Sequence, residues 1–169
     1  MSWFGRSMLA AALATALDVG TAPAWAAEEE ERSPCTEDAM QVFDASGSMA
    51  GNVTQGIGKT IPRINEVRAA LAKVLPSITR FRRVGLITYG PGPYQQCNVQ
   101  LALKPLPDGA ALILQEVNAL NPAGKTPLTA AVEQAAEVLD YRNKPGLIVV
   151  ITDGEETCGG LPCSLGPSR

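Results

Sequence analysis

Five oxygen-bearing side chains stand in three short polar clusters of this sequence, and their chemistry is that of a metal site. They are Asp44, Ser46, Ser48, Thr126 and Asp153. Carboxylate and hydroxyl oxygens are the ligands of hard divalent cations, so the set predicts a site for Mg²⁺, with Mn²⁺ or Ca²⁺ as alternatives. Side chains two apart in an extended loop point the same way, which lets the first three reach one ion.

The hydrophobic pattern predicts a scaffold that brings these clusters together. Predicted strands cover 39–43, 84–89, 98–103 and 146–151, and predicted helices cover 62–75, 110–120 and 128–139. The alternation, with the first and last strands almost continuously apolar, indicates a three-layer α/β/α fold with an open, mostly parallel, Rossmann-like sheet. Ligands bind such sheets beyond the carboxyl ends of the strands, where two of the clusters lie and the third faces them.

Three local features refine this prediction. The first helix should end at Pro76, because proline interrupts helical hydrogen bonding. Residues 45–60, rich in Gly, Ser and Thr, should form a loop. Asp108 should cap the second helix.

The order of the motifs resembles that of von Willebrand factor type A domains. The sequence has D-x-S-x-S at 44–48, T-P at 126–127 and T-D-G at 152–154, which match all five positions of that family's metal-ion-dependent adhesion site. The resemblance extends from about Cys35 to Cys163. It implies a protein-binding module rather than an enzyme.

The resemblance also assigns roles to the five side chains. Ser46, Ser48 and, in the ligand-bound state, Thr126 would bind the ion directly, whereas Asp44 and Asp153 would act mainly through water. An Asp or Glu carboxylate from a protein partner would complete the coordination. The charge balance also favours a carboxylate from a partner. Two carboxylates only just neutralise a divalent ion, and neutral hydroxyls leave it electron-poor.

Composition excludes several other functions. The net charge of −3 and the pI of about 5.0 argue against a nucleic-acid partner. The body of the chain has no apolar run of about 18 residues, so no membrane span is predicted. The complete absence of histidine removes Ser-His-Asp and Cys-His catalysis and His-ligated zinc.

The two ends of the chain carry separate predictions. Residues 1–26 are typical of a signal peptide, with a charged start, an apolar stretch and Ala24-Trp25-Ala26 as the cleavage site. An acidic segment, 27–34, and a domain at 35–169 would follow in an exported protein, periplasmic or secreted. The fold of the family that the sequence resembles usually continues beyond the last strand predicted here. The domain is therefore predicted to be incomplete, with an open edge, and a non-functional remnant is the alternative.

Four cysteines in an exported chain predict two disulfides, and three pairings are possible. Cys158 and Cys163 are five apart in a loop containing Gly and Pro, so a local bridge is sterically easy. That pairing leaves Cys35 with Cys97 as a long-range bridge. A zinc site built from all four is disfavoured, because the sequence has no other short Cys pair.

Two enzyme classes compete with the binding module. The G-K-T triplets at 58–60 and 124–126 mimic the end of a phosphate-binding loop, but Val53 and Ala119 stand where that loop requires glycine. A magnesium-dependent hydrolase remains possible, although Ser46 occupies the position where aspartyl-phosphate enzymes need a second Asp. No residue supports catalysis directly, so the chain is predicted not to be an enzyme.

Overall fold

Strand β1, Ala39–Asp44, forms the interior of the fold, and all six of its residues are buried. The computed structural model describes residues 36–56 and 58–165, so the predicted signal peptide, the acidic segment and Cys35 lie outside the described residues. The remaining elements are β2 (Asn52–Gln55), β3 (Lys59–Pro62), α1 (Arg63–Ile78), β4 (Val84–Tyr89), β5 (Val99–Leu106), α2 (Ala110–Ala119), α3 (Leu128–Val138) and β6 (Leu147–Ile151), with single 3₁₀ turns at Gly47–Ala50 and Pro162–Leu165.

Four of the strands make one sheet in the order β5-β4-β1-β6. β1 runs parallel to both β4 and β6, and β5 runs antiparallel to β4. The predicted open, mostly parallel sheet is therefore confirmed. Because β1, β4 and β6 are parallel, their carboxyl ends lie at the same end of the sheet. The polar clusters that follow β1 and β6 lie at that end too.

Helices cover both faces of the sheet, because alternate residues of each strand point to opposite sides. Ala39 and Phe43 belong to a core that includes buried residues of α1 and α2. Met40 and Val42 belong to a second core with buried alanines of α3. The predicted three-layer arrangement is confirmed.

Strand β6 forms an edge of this sheet within the described part of the chain, as predicted. Leu147 and Val149 are each 45% exposed and Val150 is 39% exposed, although all three are apolar. An apolar groove opens beside this strand and is lined on its other side by Val74 and Ile78 of α1. Among the described residues, no helix is long and apolar enough to cross a membrane.

Residues 45–60 are not a simple loop, and that prediction was wrong. β2 and β3 pair antiparallel as a small hairpin separate from the main sheet, with Val53 opposite Ile61. Gly56 and Gly58 turn the chain between them with φ angles of 57° and 79°. Such angles are accessible to glycine at little cost, so residues that indicated a loop in fact build a tight turn.

Two predictions about the helix ends were also wrong. α1 continues through Pro76 to Ile78, because proline in the last turn removes one hydrogen bond while packing of Leu75 holds the helix. Asp108 does not cap α2: its backbone is left-handed, with φ of 51°, and Gly109 precedes the helix without a side-chain cap. The Asp108 amide instead donates to the carbonyl of Thr79 at 3.2 Å.

Candidate metal centre

Asp44 lies at the carboxyl end of β1 and is completely buried. Its Oδ1 accepts a hydrogen bond from the Ser46 amide at 2.7 Å, and its Oδ2 accepts one from the Thr152 hydroxyl at 2.7 Å. The carboxylate therefore joins the loop after β1 to the loop after β6. A buried charge needs such partners, and these hold its oxygens in fixed positions.

Ser46, Ser48 and Asp153 form a continuous chain of oxygens in front of this carboxylate. The hydroxyls of Ser46 and Ser48 lie 3.0 Å apart, and Ser48 donates to Asp153 Oδ1 at 2.7 Å. Metal–oxygen bonds of about 2.1 Å in an octahedron place neighbouring ligand oxygens about 3.0 Å apart. The two serine hydroxyls are hydrogen-bonded to each other, and their 3.0 Å separation would also suit neighbouring ligands of a six-coordinate ion.

Thr126 enters the site from the loop before α3. A Cβ placed on Gly154 would lie 3.7 Å from Ser48 Oγ and 3.9 Å from Thr126 Oγ1, so both hydroxyls face the same small space. Thr126 is only 4% exposed, and its amide donates to the hydroxyl of Thr157 at 2.8 Å. The structure thus brings all five predicted side chains to one end of the sheet.

The described residues contain no group of three or more His, Cys, Asp and Glu that could hold a metal. The cluster here has a different composition, since its two carboxylates are completed by three hydroxyls. That donor set suits a hard cation that keeps some of its water, and it does not suit zinc. The residues therefore fit the ion that the sequence predicts.

The loops that carry these side chains are joined through their main chains. The Gly47 amide donates to the Gly124 carbonyl at 2.9 Å, and the Gly124 amide donates to the Gly90 carbonyl at 2.8 Å. The Ala45 amide donates to the Tyr89 carbonyl at 2.8 Å. The ends of β1 and β4 and the loop before α3 therefore form one hydrogen-bonded frame beneath the site, which we call the loop frame.

Gly90 allows the strands of the loop frame to approach closely. A Cβ there would lie 2.6 Å from the Ser46 nitrogen and 2.9 Å from the Lys125 carbonyl oxygen, and the φ angle is 74°. We expect Gly90→Ala to lower the free energy of unfolding by about 3 kcal/mol, through left-handed strain and overpacking. Chemical denaturation of the two proteins measures this difference.

Gly56→Ala is the matched control, because Gly56 also has a positive φ, 57°, but has no atom within 4 Å of an added Cβ. It should lose only about 1 kcal/mol, the cost of the left-handed backbone alone. Equal losses in the two variants would show that close packing at Gly90 has no energetic role.

Arg63 is a residue of the site that was not among the five predicted from the sequence. It is the first residue of α1, and its Nη1 donates to the Ser48 carbonyl at 3.1 Å and to Asp153 Oδ2. Its side chain is 39% exposed and that of Asp153 is 14% exposed. Its position in the sequence could have indicated a role, because a cation at a helix N-terminus opposes the helix dipole. An anion nearby would compensate for that repulsion.

Glu156 supports the site from behind. Burial raises its pKa, but hydrogen bonds from the amides of Thr129 and Cys158 outweigh that effect, so the net pKa is lowered. Its oxygens accept these bonds at 2.8 Å and 2.6 Å. The carboxylate thereby ties the loop after β6 to the first turn of α3, near Thr126.

Tyr89 closes the floor of the site at the end of β4. Burial raises the pKa of Tyr89, and the nearby charge of Asp44 raises it further. The phenol therefore stays neutral beside the carboxylate. It adds bulk to the floor without adding charge.

The predicted disulfide pairing was wrong. Cys97 is bonded to Cys158, with an S–S distance of 2.05 Å, and Cys163 is a free, exposed thiol. The prediction paired Cys158 with Cys163 and Cys35 with Cys97 on sequence distance alone. The fold instead brings the loop before β5 against the loop after β6, where the Cα atoms of Cys97 and Cys158 are 5.9 Å apart.

Comparison with curated proteins finds two similar sequences from Bacillus subtilis (strain 168). The chain is 29% identical over 153 residues to the uncharacterized protein YwmC, covering 84% of this chain and 65% of YwmC. It is 28% identical over 170 residues to the uncharacterized protein YwmD, covering 94% of this chain and 72% of YwmD. The chain therefore spans just under two thirds of the length of YwmC.

Solved structures share the fold at low identity. The vWF domain of the type V pili tip protein Mfa5 from Porphyromonas gingivalis matches with a TM-score of 0.54 at 19% identity, over 72% of this chain and 38% of that one. The PilB minor pilin from Streptococcus sanguinis matches with a TM-score of 0.50 at 21% identity, over 70% and 30%. A sequence model of the von Willebrand factor type A domain covers residues 39–156. With its sheet, its motifs and this match in agreement, the chain belongs to the von Willebrand factor type A domain family.

Proposed function

We propose that this chain is an exported, non-catalytic binding module that holds a divalent cation and uses it to bind a carboxylate of a protein partner. The cation would be Mg²⁺ first, with Mn²⁺ or Ca²⁺ as alternatives. The ligands would be Asp44, Ser46, Ser48, Thr126 and Asp153. The observation that carries the proposal is the meeting of these five side chains, with the two serine hydroxyls 3.0 Å apart.

The charge of the site favours an anionic partner. Two carboxylates balance the charge of a divalent ion, and the three hydroxyls add none, so the bound ion keeps its attraction for a further negative ligand. Ser48 is exposed, whereas Asp44 and Ser46 are buried, so the site opens to solvent on the Ser48 side. A carboxylate from another protein could reach the ion from that side.

Two features support export. The Cys97–Cys158 bond is of the kind that persists in oxidising compartments, and residues 1–26 have the pattern of a signal peptide. The structures with the same fold include a pilus tip protein and a minor pilin, which is consistent with a binding role but is an analogy of fold alone. Export and partner binding are therefore proposed together.

Metal binding is tested by titrating the full chain with MgCl₂, MnCl₂ and CaCl₂ in a calorimeter and by melting it with and without each ion. We expect the ion to raise the melting temperature, since a ligand that binds only the folded state stabilises it. Asp153→Asn should abolish the rise, while Glu133→Gln, an equal change of charge on the exposed face of α3, should preserve it. An unchanged melting temperature in all three salts would contradict the proposal.

The carboxylate preference is tested with manganese as a magnetic probe. Protein-bound Mn²⁺ enhances the relaxation of water protons, and a carboxylate that replaces a bound water should reduce this enhancement. A blocked peptide with a single Glu should act, and the same peptide with Gln should not. Equal effects of the two peptides would contradict the proposal of an acidic partner. In a separate assay, nucleotide hydrolysis that survives Asp44→Ala would contradict the proposal that the chain is not catalytic.

A further inference from the structure

Arg63 brings a positive charge to the place where the proposed cation needs negative charge. Its guanidinium contacts two residues of the site, the carboxylate of Asp153 and the carbonyl of Ser48. The other oxygen of Asp153 accepts the Ser48 hydroxyl at 2.7 Å. Both oxygens of this carboxylate are therefore engaged by groups of the protein itself.

The charge of Arg63 at the start of α1 is electrostatically unfavourable unless an anion lies beside it. It is the first residue of α1, where the partial positive charge of the helix end disfavours a cation. The Asp153 carboxylate offsets that repulsion. A divalent ion bound at Asp153 would take over the carboxylate and place a second positive charge beside the guanidinium.

We propose that Arg63 is a resident counter-cation, which a divalent metal must displace from Asp153 in order to bind. This inference rests on the proposed function, since it concerns the affinity of the same site. The guanidinium stabilises the metal-free carboxylates and lowers the affinity for the ion. Metal binding is thereby coupled to release of the Arg63 side chain into solvent, which its 39% exposure permits.

The test compares Mn²⁺ affinity, measured by calorimetry, in the full chain and in Arg63→Gln. Removing the competing charge should tighten binding about fivefold, the factor expected for a partly exposed ion pair. Arg63→Lys, which keeps the charge, should bind less tightly than Arg63→Gln. Without metal, Arg63→Gln should melt at a lower temperature than the parent, because the carboxylates lose their counter-charge.

Two controls separate this effect from a general change of charge. Arg80→Gln alters an exposed arginine just beyond the other end of the 16-residue helix α1, about 24 Å away, and should leave Mn²⁺ affinity unchanged. In a double-mutant cycle with Asp153→Asn on the metal-free proteins, the change at Arg63 should no longer lower the melting temperature, because the carboxylate that Arg63 contacts is already absent.

The outcomes distinguish the inference from the proposed function. If the parent binds Mn²⁺ and Arg63→Gln binds it no more tightly, the inference is wrong and the metal site stands. If neither protein binds Mn²⁺, both are wrong. If only Arg63→Gln binds Mn²⁺, both are supported, with Arg63 as the block.

Discussion

Replacing Asp44 with Ala should abolish the response of this protein to Mg²⁺ and Mn²⁺. The substitution removes one of the two carboxylates of the site and leaves the Ser46 amide without its acceptor, whereas the Thr152 hydroxyl keeps the Gly154 carbonyl at 3.2 Å as an acceptor. We expect metal affinity to fall at least about hundredfold. The metal-free protein should also lose about 2 kcal/mol of unfolding free energy, because the buried Ser46 amide is left unpaired. Calorimetry and denaturation measure the two effects separately.

Asp44→Asn is the variant that separates charge from structure. Its side chain keeps the size of the carboxylate and an oxygen that can accept one of the two hydrogen bonds, but it carries no charge. The metal-free variant should therefore be more stable than Asp44→Ala, yet it should fail to bind either ion. A metal-induced rise in melting temperature equal to that of the parent would show that the Asp44 charge does not serve the metal.

Loss of the Cys97–Cys158 bond should produce the largest change in stability. The bridge closes a loop of 61 residues, and the chain-entropy estimate for such a loop is about 4 kcal/mol. We expect Cys97→Ser/Cys158→Ser to lose roughly that amount of unfolding free energy in denaturant titrations. The bond also joins the two loops that hold the segment before α3, since Gln96 accepts the Lys125 amide and Thr157 accepts the Thr126 amide. The double variant should therefore bind Mn²⁺ more weakly as well.

Cys163→Ser is the matched control, because it removes a thiol that is free in the described part of the chain. Its stability and metal affinity should equal those of the parent. A reducing agent should reproduce the effect of the double variant in the parent and should not alter the double variant itself. If Cys163→Ser were the destabilised protein, the observed pairing would be refuted.

The sequence predicted the parts of the fold that depend on long apolar patterns. β1 is almost continuously apolar, β6 is fully apolar, and α3 has its small residues on one stripe, so each could be recognised alone. The hairpin of β2 and β3 was missed because its strands are four residues long and lie between glycines. Such short strands carry no periodicity strong enough to separate them from a loop.

The candidate metal centre also has features that the sequence predicted and features that it did not. The meeting of the five oxygen-bearing side chains at one end of the sheet was predicted, because each stands at a fixed place relative to a strand or a helix. The Cys97–Cys158 bond and the Arg63–Asp153 pair were not predicted, because each joins residues distant in sequence, 61 and 90 positions apart. Contacts of that kind depend on the packing of the whole sheet, which local patterns do not report.

The loop frame beneath the site is built from amides and carbonyls of Ala45, Gly47, Tyr89, Gly90 and Gly124. None of these bonds involves a side chain that would touch the ion. The main-chain shape of the cradle therefore does not depend on the hydroxyls of Ser46, Ser48 and Thr126. Asp44 is different, because its carboxylate accepts the Ser46 amide and so belongs to the support. Under the proposed function, substitutions of Ser46, Ser48 or Thr126 should therefore change the preference among cations while the main-chain support is kept.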